Sequence, residues 1–277
     1  MSTTAARIIP LAVAVVLAML EDRPAFAQSK AGMTEVKLPR EIGQSMTIEI
    51  PGLPAESKKL ELVLVPGMGK VQPFLMGKYE ITQGQYQALM HTNPSTHRTG
   101  PDYPVEQVSW QEAKDFCAQL SRVRPASERT NISFRLPTDE EWSIAVGLPA
   151  EKGRTPGEKN RKVKGVYPWG SEWPPPADAG NYSDSINQKA VGGHDGFADT
   201  APVGSYPPNA SGLYDLGGNV WEWCEDWFDE EENVRVLRGG GFFTTSEGQI
   251  LSSSRGRPPV VRNYGSGLRV RLEVIAP

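Results

Sequence analysis

Gly217-Gly218-Asn219-Val220-Trp221-Glu222-Trp223-Cys224-Glu225-Asp226-Trp227 is the stretch that most constrains the interpretation of this chain. It places three tryptophans, three carboxylates and one amide within eleven residues. A buried indole N–H needs an acceptor, and a buried carboxylate needs several hydrogen bonds or a cation. The stretch therefore predicts a preorganised polar environment. Its oxygen atoms suit Ca²⁺, whereas it offers no ligand set for tetrahedral zinc.

Further motifs lie on both sides of this stretch and follow one another in a fixed order. They are Lys78-Tyr79-Glu80-Ile81-Thr82-Gln83-Gly84-Gln85-Tyr86, Pro104-Val105-Glu106-Gln107-Val108-Ser109-Trp110, Phe134-Arg135-Leu136-Pro137-Thr138-Asp139-Glu140-Glu141-Trp142, Tyr167-Pro168-Trp169-Gly170, Gly212-Leu213-Tyr214-Asp215-Leu216, Arg235-Val236-Leu237-Arg238-Gly239-Gly240-Gly241-Phe242 and Gly267-Leu268-Arg269-Val270.

This ordered set resembles the formylglycine-generating enzyme family, also called sulfatase-modifying factors, over roughly residues 59–272. The resemblance implies an α+β fold: a loop-rich, elaborated C-type-lectin-like domain of short helices and twisted antiparallel strands. It assigns residues 59–277 to the family domain and 28–58 to an N-terminal tether with edge strands. Composition alone, with 28 Gly and 24 Pro, indicates only a loop-rich single domain of mixed α and β structure.

Residues 1–27 have the pattern of an export signal. Arg7 precedes an apolar run, and Ala25-Phe26-Ala27 forms a small-x-small cleavage site. We therefore expect an exported protein, periplasmic or extracellular, with no membrane span after cleavage. An uncleaved anchor is the alternative. The net charge of −4, with both signs interspersed, provides no field for holding nucleic acid, and the sequence does not define an oligomeric state.

Three short helices are predicted, over residues 83–90, from Ser109 to about residue 120 or 123, and from Thr138 onward. In the last two, the capping Ser or Thr is followed three residues later by Glu112 or Glu141, which is the capping-box pattern. Residues 150–164 are expected to form a charged surface loop.

The resemblance implies two structural calcium sites. One would use Asn181, Tyr182, Asp195 and Phe197, and the other would use Asp215, Gly218, Val220 and Glu222. Tyr182, Phe197, Gly218 and Val220 would contribute carbonyl oxygens, so both sets consist of oxygen alone, as Ca²⁺ prefers. The alternative is that the two aspartates form Asx turns and that Glu222 pairs with an arginine.

The same resemblance implies a copper site that this chain does not reproduce. Family members bind copper through a cysteine pair shortly after a Gly-Gly-Ser-Trp-like turn, which here is Gly239-Gly240-Gly241-Phe242-Phe243. Thr244 occupies the first cysteine position, and Glu247 or Gln249 the second. Hydroxyl, carboxylate and amide groups cannot replace soft thiolates for Cu(I), so copper is not expected.

An iron site and thiol chemistry have little support. Some relatives use three histidines to hold iron. Here His91 and His97 flank a turn and the third histidine, His194, is far from both in sequence, so we expect His91 and His97 to face solvent. Iron is therefore not expected. Cys117 and Cys224 are predicted to be packed rather than reactive, and the sequence leaves open whether they form a disulfide.

Gly241, Phe242, Phe243, Thr244 and Arg255 stand where the resemblance places the substrate groove. Aromatic and arginine side chains favour recognition, so they predict a surface for a peptide, protein or small molecule. Catalytic residues stay unassigned. Two functions follow: an accessory or maturation oxidoreductase-like protein, or a calcium-stabilised lectin-like binding module without catalysis.

Overall fold

The computed structural model describes residues 38–122, 132–183, 196–256, 262 and 265–274. Its five-stranded sheet contains β1 (Ser45–Ile48), β2 (Leu60–Val65), β3 (Phe74–Gly77), β4 (Ile132–Arg135) and β8 (Arg271–Val274). The strand order is β1-β2-β3-β8-β4, and every neighbouring pair is antiparallel.

A second, three-stranded sheet carries the tryptophan-rich stretch. Its central strand is β5 (Trp221–Trp227), which pairs antiparallel with β6 (Arg235–Arg238) and parallel with the two-residue β7 (Ser266–Gly267). The result is a mixed fold with two sheets and small helices.

The helices are α1 (Gln83–Met90), α2 (Trp110–Arg122), α3 (Asp139–Ala145), α4 (Pro156–Lys159) and α5 (Glu247–Ile250). The three predicted helices are thus confirmed. Both predicted capping boxes form, since Ser109 and Glu112 bond each other's backbone N–H at 3.0 and 3.3 Å, and Thr138 and Glu141 do so at 2.9 and 3.1 Å. The one-turn helix α4 interrupts the segment predicted to be only loop.

The five-stranded sheet buries both of its faces. In β2, Leu60 and Leu62 join one hydrophobic core, whereas Val63 and Val65 join another. Successive side chains of a strand point to opposite faces, so one strand can supply two cores. Helices α1 and α2 cover the first core, and α3 covers the second. No helix within the described ranges is long and apolar enough to cross a bilayer.

A buried ionic cluster joins α3 to the segment that follows α5. Asp139 accepts hydrogen bonds from Arg255 at 2.8 and 2.9 Å and pairs with Arg238, while Glu151 accepts from Arg255 at 2.6 and 3.0 Å. Arg238 also lies over the Trp142 ring at 4.3 Å. Burial alone would raise the pKa of Asp139, but the two guanidiniums outweigh it and hold this pKa below its ordinary value.

This cluster corrects the prediction for Arg255. The side chain is fully buried, and its guanidinium binds Asp139, Glu151 and the Ser253 carbonyl. Arg255 therefore belongs to the protein interior and contributes no recognition surface. The sequence could not reveal this, because its carboxylate partners lie more than 100 positions away along the chain.

Replacing Asp139 by Asn should destabilise the fold by about 3–5 kcal/mol, since it removes the charge that two buried guanidiniums share. Urea denaturation at pH 7 would measure the loss. The matched control is Glu49→Gln in an exposed pair with Lys59, which should change stability by less than about 1 kcal/mol. Similar losses in both variants would contradict the role given to the cluster.

Candidate functional site

The loop before β5 curls because several of its residues adopt left-handed backbone conformations. Asp215, Gly218 and Asn219 have φ values of +54°, +84° and +58°. At Gly218 a Cβ atom would lie 2.3 Å from the Asn181 carbonyl oxygen, so glycine is required by both conformation and space. The loop thereby packs directly onto the segment that contains Asn181.

Asn219 is buried and uses every polar group it has. Its amide nitrogen donates to Glu80 at 2.7 Å and to the Ala201 carbonyl at 3.2 Å, and its amide oxygen accepts from the Ala201 N–H at 2.9 Å and from Asn181 at 3.2 Å. Its backbone N–H donates to the Asn181 carbonyl, and its own carbonyl accepts from the Phe242 N–H, both at 2.8 Å. One residue thus joins four segments of the chain.

Glu222 lies at the start of β5 and is paired with an arginine. An arginine pair was the predicted alternative to a calcium-binding role for Glu222. Its Oε1 accepts from Arg269 at 3.0 and 2.6 Å, and its Oε2 accepts from the Trp142 indole at 2.8 Å. A carboxylate has about four lone-pair sites, so the two bonds to Oε1 and the single bond to Oε2 leave acceptor capacity on Oε2. The arginine pair and a calcium ligand role are therefore compatible.

Carboxylates outnumber cations in this buried region. Glu80, Asp215 and Glu222 are all buried, and Arg269 is the guanidinium buried among them. Burial, and then the Asp215 and Glu222 carboxylates, raise the pKa of Glu80 well above its ordinary value. Burial likewise raises the pKa of Asp215 to about 6, although the Gly204 N–H donates to it at 2.6 Å. The fully ionised cluster would therefore carry an excess of two negative charges.

A further cation stands near this cluster without entering it. Lys58 lowers the pKa of Asp215, but its ammonium is only partly buried and donates to the Val203 carbonyl at 2.7 Å. No three His, Cys, Asp or Glu side chains in the described ranges form a group that could hold a metal unaided. An ion here would depend on Asp215, Glu222 and the backbone carbonyls, as the predicted set requires.

The first predicted calcium set is described in part. Asn181 is buried, its amide nitrogen donates to the Asp199 carbonyl at 2.8 Å, and its amide oxygen has no hydrogen-bond partner in the described chain. An orphaned buried oxygen fits a cation ligand. Tyr182 is buried beside it and Phe197 lies further along, while Asp195 falls outside the described residues.

The turn that would precede the copper cysteines is tightly closed. The Thr244 hydroxyl accepts from the Gly241 N–H at 2.9 Å, and the Thr244 N–H donates to the Gly241 carbonyl at 2.8 Å. The Ser183 hydroxyl donates to the Thr244 carbonyl at 2.6 Å. The hydroxyl and backbone of Thr244 therefore stabilise the turn. A hydroxyl that is hydrogen-bonded in this way does not fit a copper site.

The predicted groove is corrected at most of its positions. Gly241, Phe242 and Thr244 are buried, as is Arg255, and only Phe243 is partly exposed. Phe242 packs edge-on against Phe243 and His97, with ring centroids 5.3 and 5.2 Å apart. These aromatic rings consolidate the turn instead of presenting an open recognition surface.

His97 departs from the expectation of a solvent-facing histidine. Its side chain is 16% exposed, with Nδ1 lying 3.4 Å from the buried Glu106 carboxylate and Nε2 lying 3.3 Å from Asp199. His91 is exposed, as expected, at the C-terminus of α1, and His194 lies outside the described residues. The pattern of residues around His97 gave no signal of these long-range contacts.

The model of the sulfatase-modifying factor enzyme 1-like domain matches residues 65–274, which is most of the chain. The chain belongs to this family. The matched range contains the residues of both predicted calcium sets, the closed turn and the buried carboxylates.

Proteins similar to this chain carry different names. The chain is 35% identical over 156 residues to inactive C-alpha-formylglycine-generating enzyme 2 from Bos taurus, which covers 56% of this chain but only 43% of that protein. It is 29% identical over 212 residues to chaperone protein LppX from Paenibacillus barcinonensis, covering 62% of this chain and 70% of that protein.

Among solved structures, Treponema denticola variable protein 1 is similar with a TM-score of 0.54 and 23% identity, covering 82% of this chain and 98% of the other. At this identity the similarity supports the fold alone.

The two cysteines of this family member are separate, buried thiols. Burial raises the pKa of Cys117 to about 12 and raises that of Cys224 well above its ordinary value. The thiolate is the reactive form, so both thiols are poorly suited to nucleophilic or redox chemistry at neutral pH.

Both thiols should resist alkylation by iodoacetamide in the native protein at pH 8 and react fully in denaturant. Mass spectrometry would count the added groups in each state. Rapid modification of either cysteine under native conditions would show that its burial is transient.

Proposed function

We propose that this chain is an exported accessory or maturation protein that binds a peptide or small molecule and does not make formylglycine by the copper-cysteine route. The observation that supports it most directly is Thr244. At the position of the first copper cysteine, its hydroxyl accepts the Gly241 N–H and contributes to the turn. A hydroxyl is a hard ligand, which Cu(I) does not select.

The thiols that the chain does possess do not supply a substitute. Cys117 packs within the first core, Cys224 packs within the second, and burial disfavours both thiolates. Oxidation by protein thiols is therefore disfavoured, which supports an accessory role over that of a thiol oxidoreductase. The names of two relatives agree with such a role, since one is called an inactive enzyme and the other a chaperone.

Calcium binding is the second part of the proposal. The Asn181 amide oxygen is buried without a partner, and the Asp215 and Glu222 carboxylates lie in a region with an excess of buried negative charge. When bound, Ca²⁺ would neutralise that charge and hold the irregular segments together. We propose a structural role for the ion in a lectin-like binding module.

Elemental mass spectrometry of protein purified from the exported fraction should find calcium in stoichiometric amounts and neither copper nor iron. Dialysis against a chelator should then lower the melting temperature, because binding to the native state alone stabilises a protein. Stoichiometric copper or iron would contradict the accessory role, whereas an unchanged melting temperature would remove the structural role of calcium.

A gain-of-site variant tests the copper argument separately. Thr244→Cys combined with Gln249→Cys should bind Cu(I) in competition with a chromophoric chelator, and the natural chain should not. The single variant Thr244→Cys is the matched control for adding one thiol. Equal copper affinity in the natural chain and the double variant would show that another copper site exists.

A further inference from the structure

Glu80 lies between β3 and α1 and is outside both predicted calcium sets. Its side chain is almost completely buried, and each of its carboxylate oxygens accepts a hydrogen bond from the loop before β5. Oε1 accepts from the Val220 N–H at 3.0 Å, and Oε2 accepts from the Asn219 amide at 2.7 Å. The two bonds form a clamp on neighbouring residues of the loop.

This clamp acts on the backbone between two predicted calcium ligands. The peptide unit that joins Asn219 to Val220 is held at both ends, since its N–H donates to Glu80 and its carbonyl accepts from the Phe242 N–H at 2.8 Å. The preceding peptide unit is held by the bond from the Asn219 N–H to the Asn181 carbonyl, also 2.8 Å. The Gly218 and Val220 carbonyls thus flank a segment whose orientation is fixed.

We propose that Glu80 is a positioning residue of the second calcium set: its two hydrogen bonds fix the loop that presents the Gly218 and Val220 carbonyls. This inference rests on the calcium binding proposed above. It assigns a metal-affinity role to a residue that makes no direct contact with the ion. Outer-shell partners of this kind typically change metal affinity by about 10–100-fold when they are replaced.

Glu80→Gln is the first variant to test, because it keeps the shape of the side chain, removes its charge and leaves only one acceptor oxygen. Calorimetric titration of Ca²⁺ into chelator-stripped protein should show one site weakened by about 10–100-fold. Glu151→Gln is the matched control, since Glu151 is a comparably buried carboxylate that pairs with Arg255, away from the calcium loop. It should lower stability while leaving calcium affinity unchanged.

Glu80→Asp provides a second measurement if Glu80→Gln does not fold. It keeps the charge but shortens the side chain, so it should weaken the same calcium site by breaking the clamp. Natural calcium affinity in every Glu80 variant that folds would overturn the role of Glu80 and leave calcium binding intact. Failure of the natural chain to bind calcium would instead overturn both this inference and the calcium part of the proposed function.

Discussion

The buried amide of Asn219 is the constraint on which the site depends. Asn219 makes four hydrogen bonds through this amide and two through its backbone, all of 2.7–3.2 Å. They reach the Glu80 carboxylate, the Ala201 backbone, Asn181 and the Phe242 N–H. Burying a polar group is costly unless it is paired, so these bonds must form together or the loop cannot pack. Asn219 thereby converts long irregular segments into a single ordered arrangement.

Buried arginines also join distant segments of the chain in the interior of the protein. Arg238 and Arg255 join α3 to the segment after α5, and Arg269 joins Glu222 to the carbonyls of Gly77 and Tyr214. A buried ion pair does not guarantee stability, because both charges lose their hydration. The effect of these ion pairs on the specificity of the fold is clearer. Each guanidinium makes its hydrogen bonds only when several distant segments of the chain come together.

The sequence predicted the local structure and the family but not most of the long-range pairing. Capping boxes at Ser109 and Thr138 depend on neighbours three residues away, and these predictions were confirmed. The predicted groove was wrong for Arg255 and Phe242, because exposure depends on partners that are distant in the chain. The contacts of His97 were missed because Asp199 is distant in the chain and because the turn that brings Glu106 to it, nine residues on, has no recognisable pattern.

The two-sided burial of β2 affects how its register is specified. In a sheet with one wet face, a shift by one residue would expose apolar side chains to water, and that penalty selects the correct pairing. In β2 the same shift would exchange leucines for valines between two apolar cores, so these residues discriminate weakly by hydrophobicity. It would also move Glu61 into the leucine core and away from Lys78, with which it pairs at 2.9 Å. The register of β2 is therefore selected by the charge of Glu61 and by side-chain shape, because β2 contributes γ-branched leucines to one core and β-branched valines to the other.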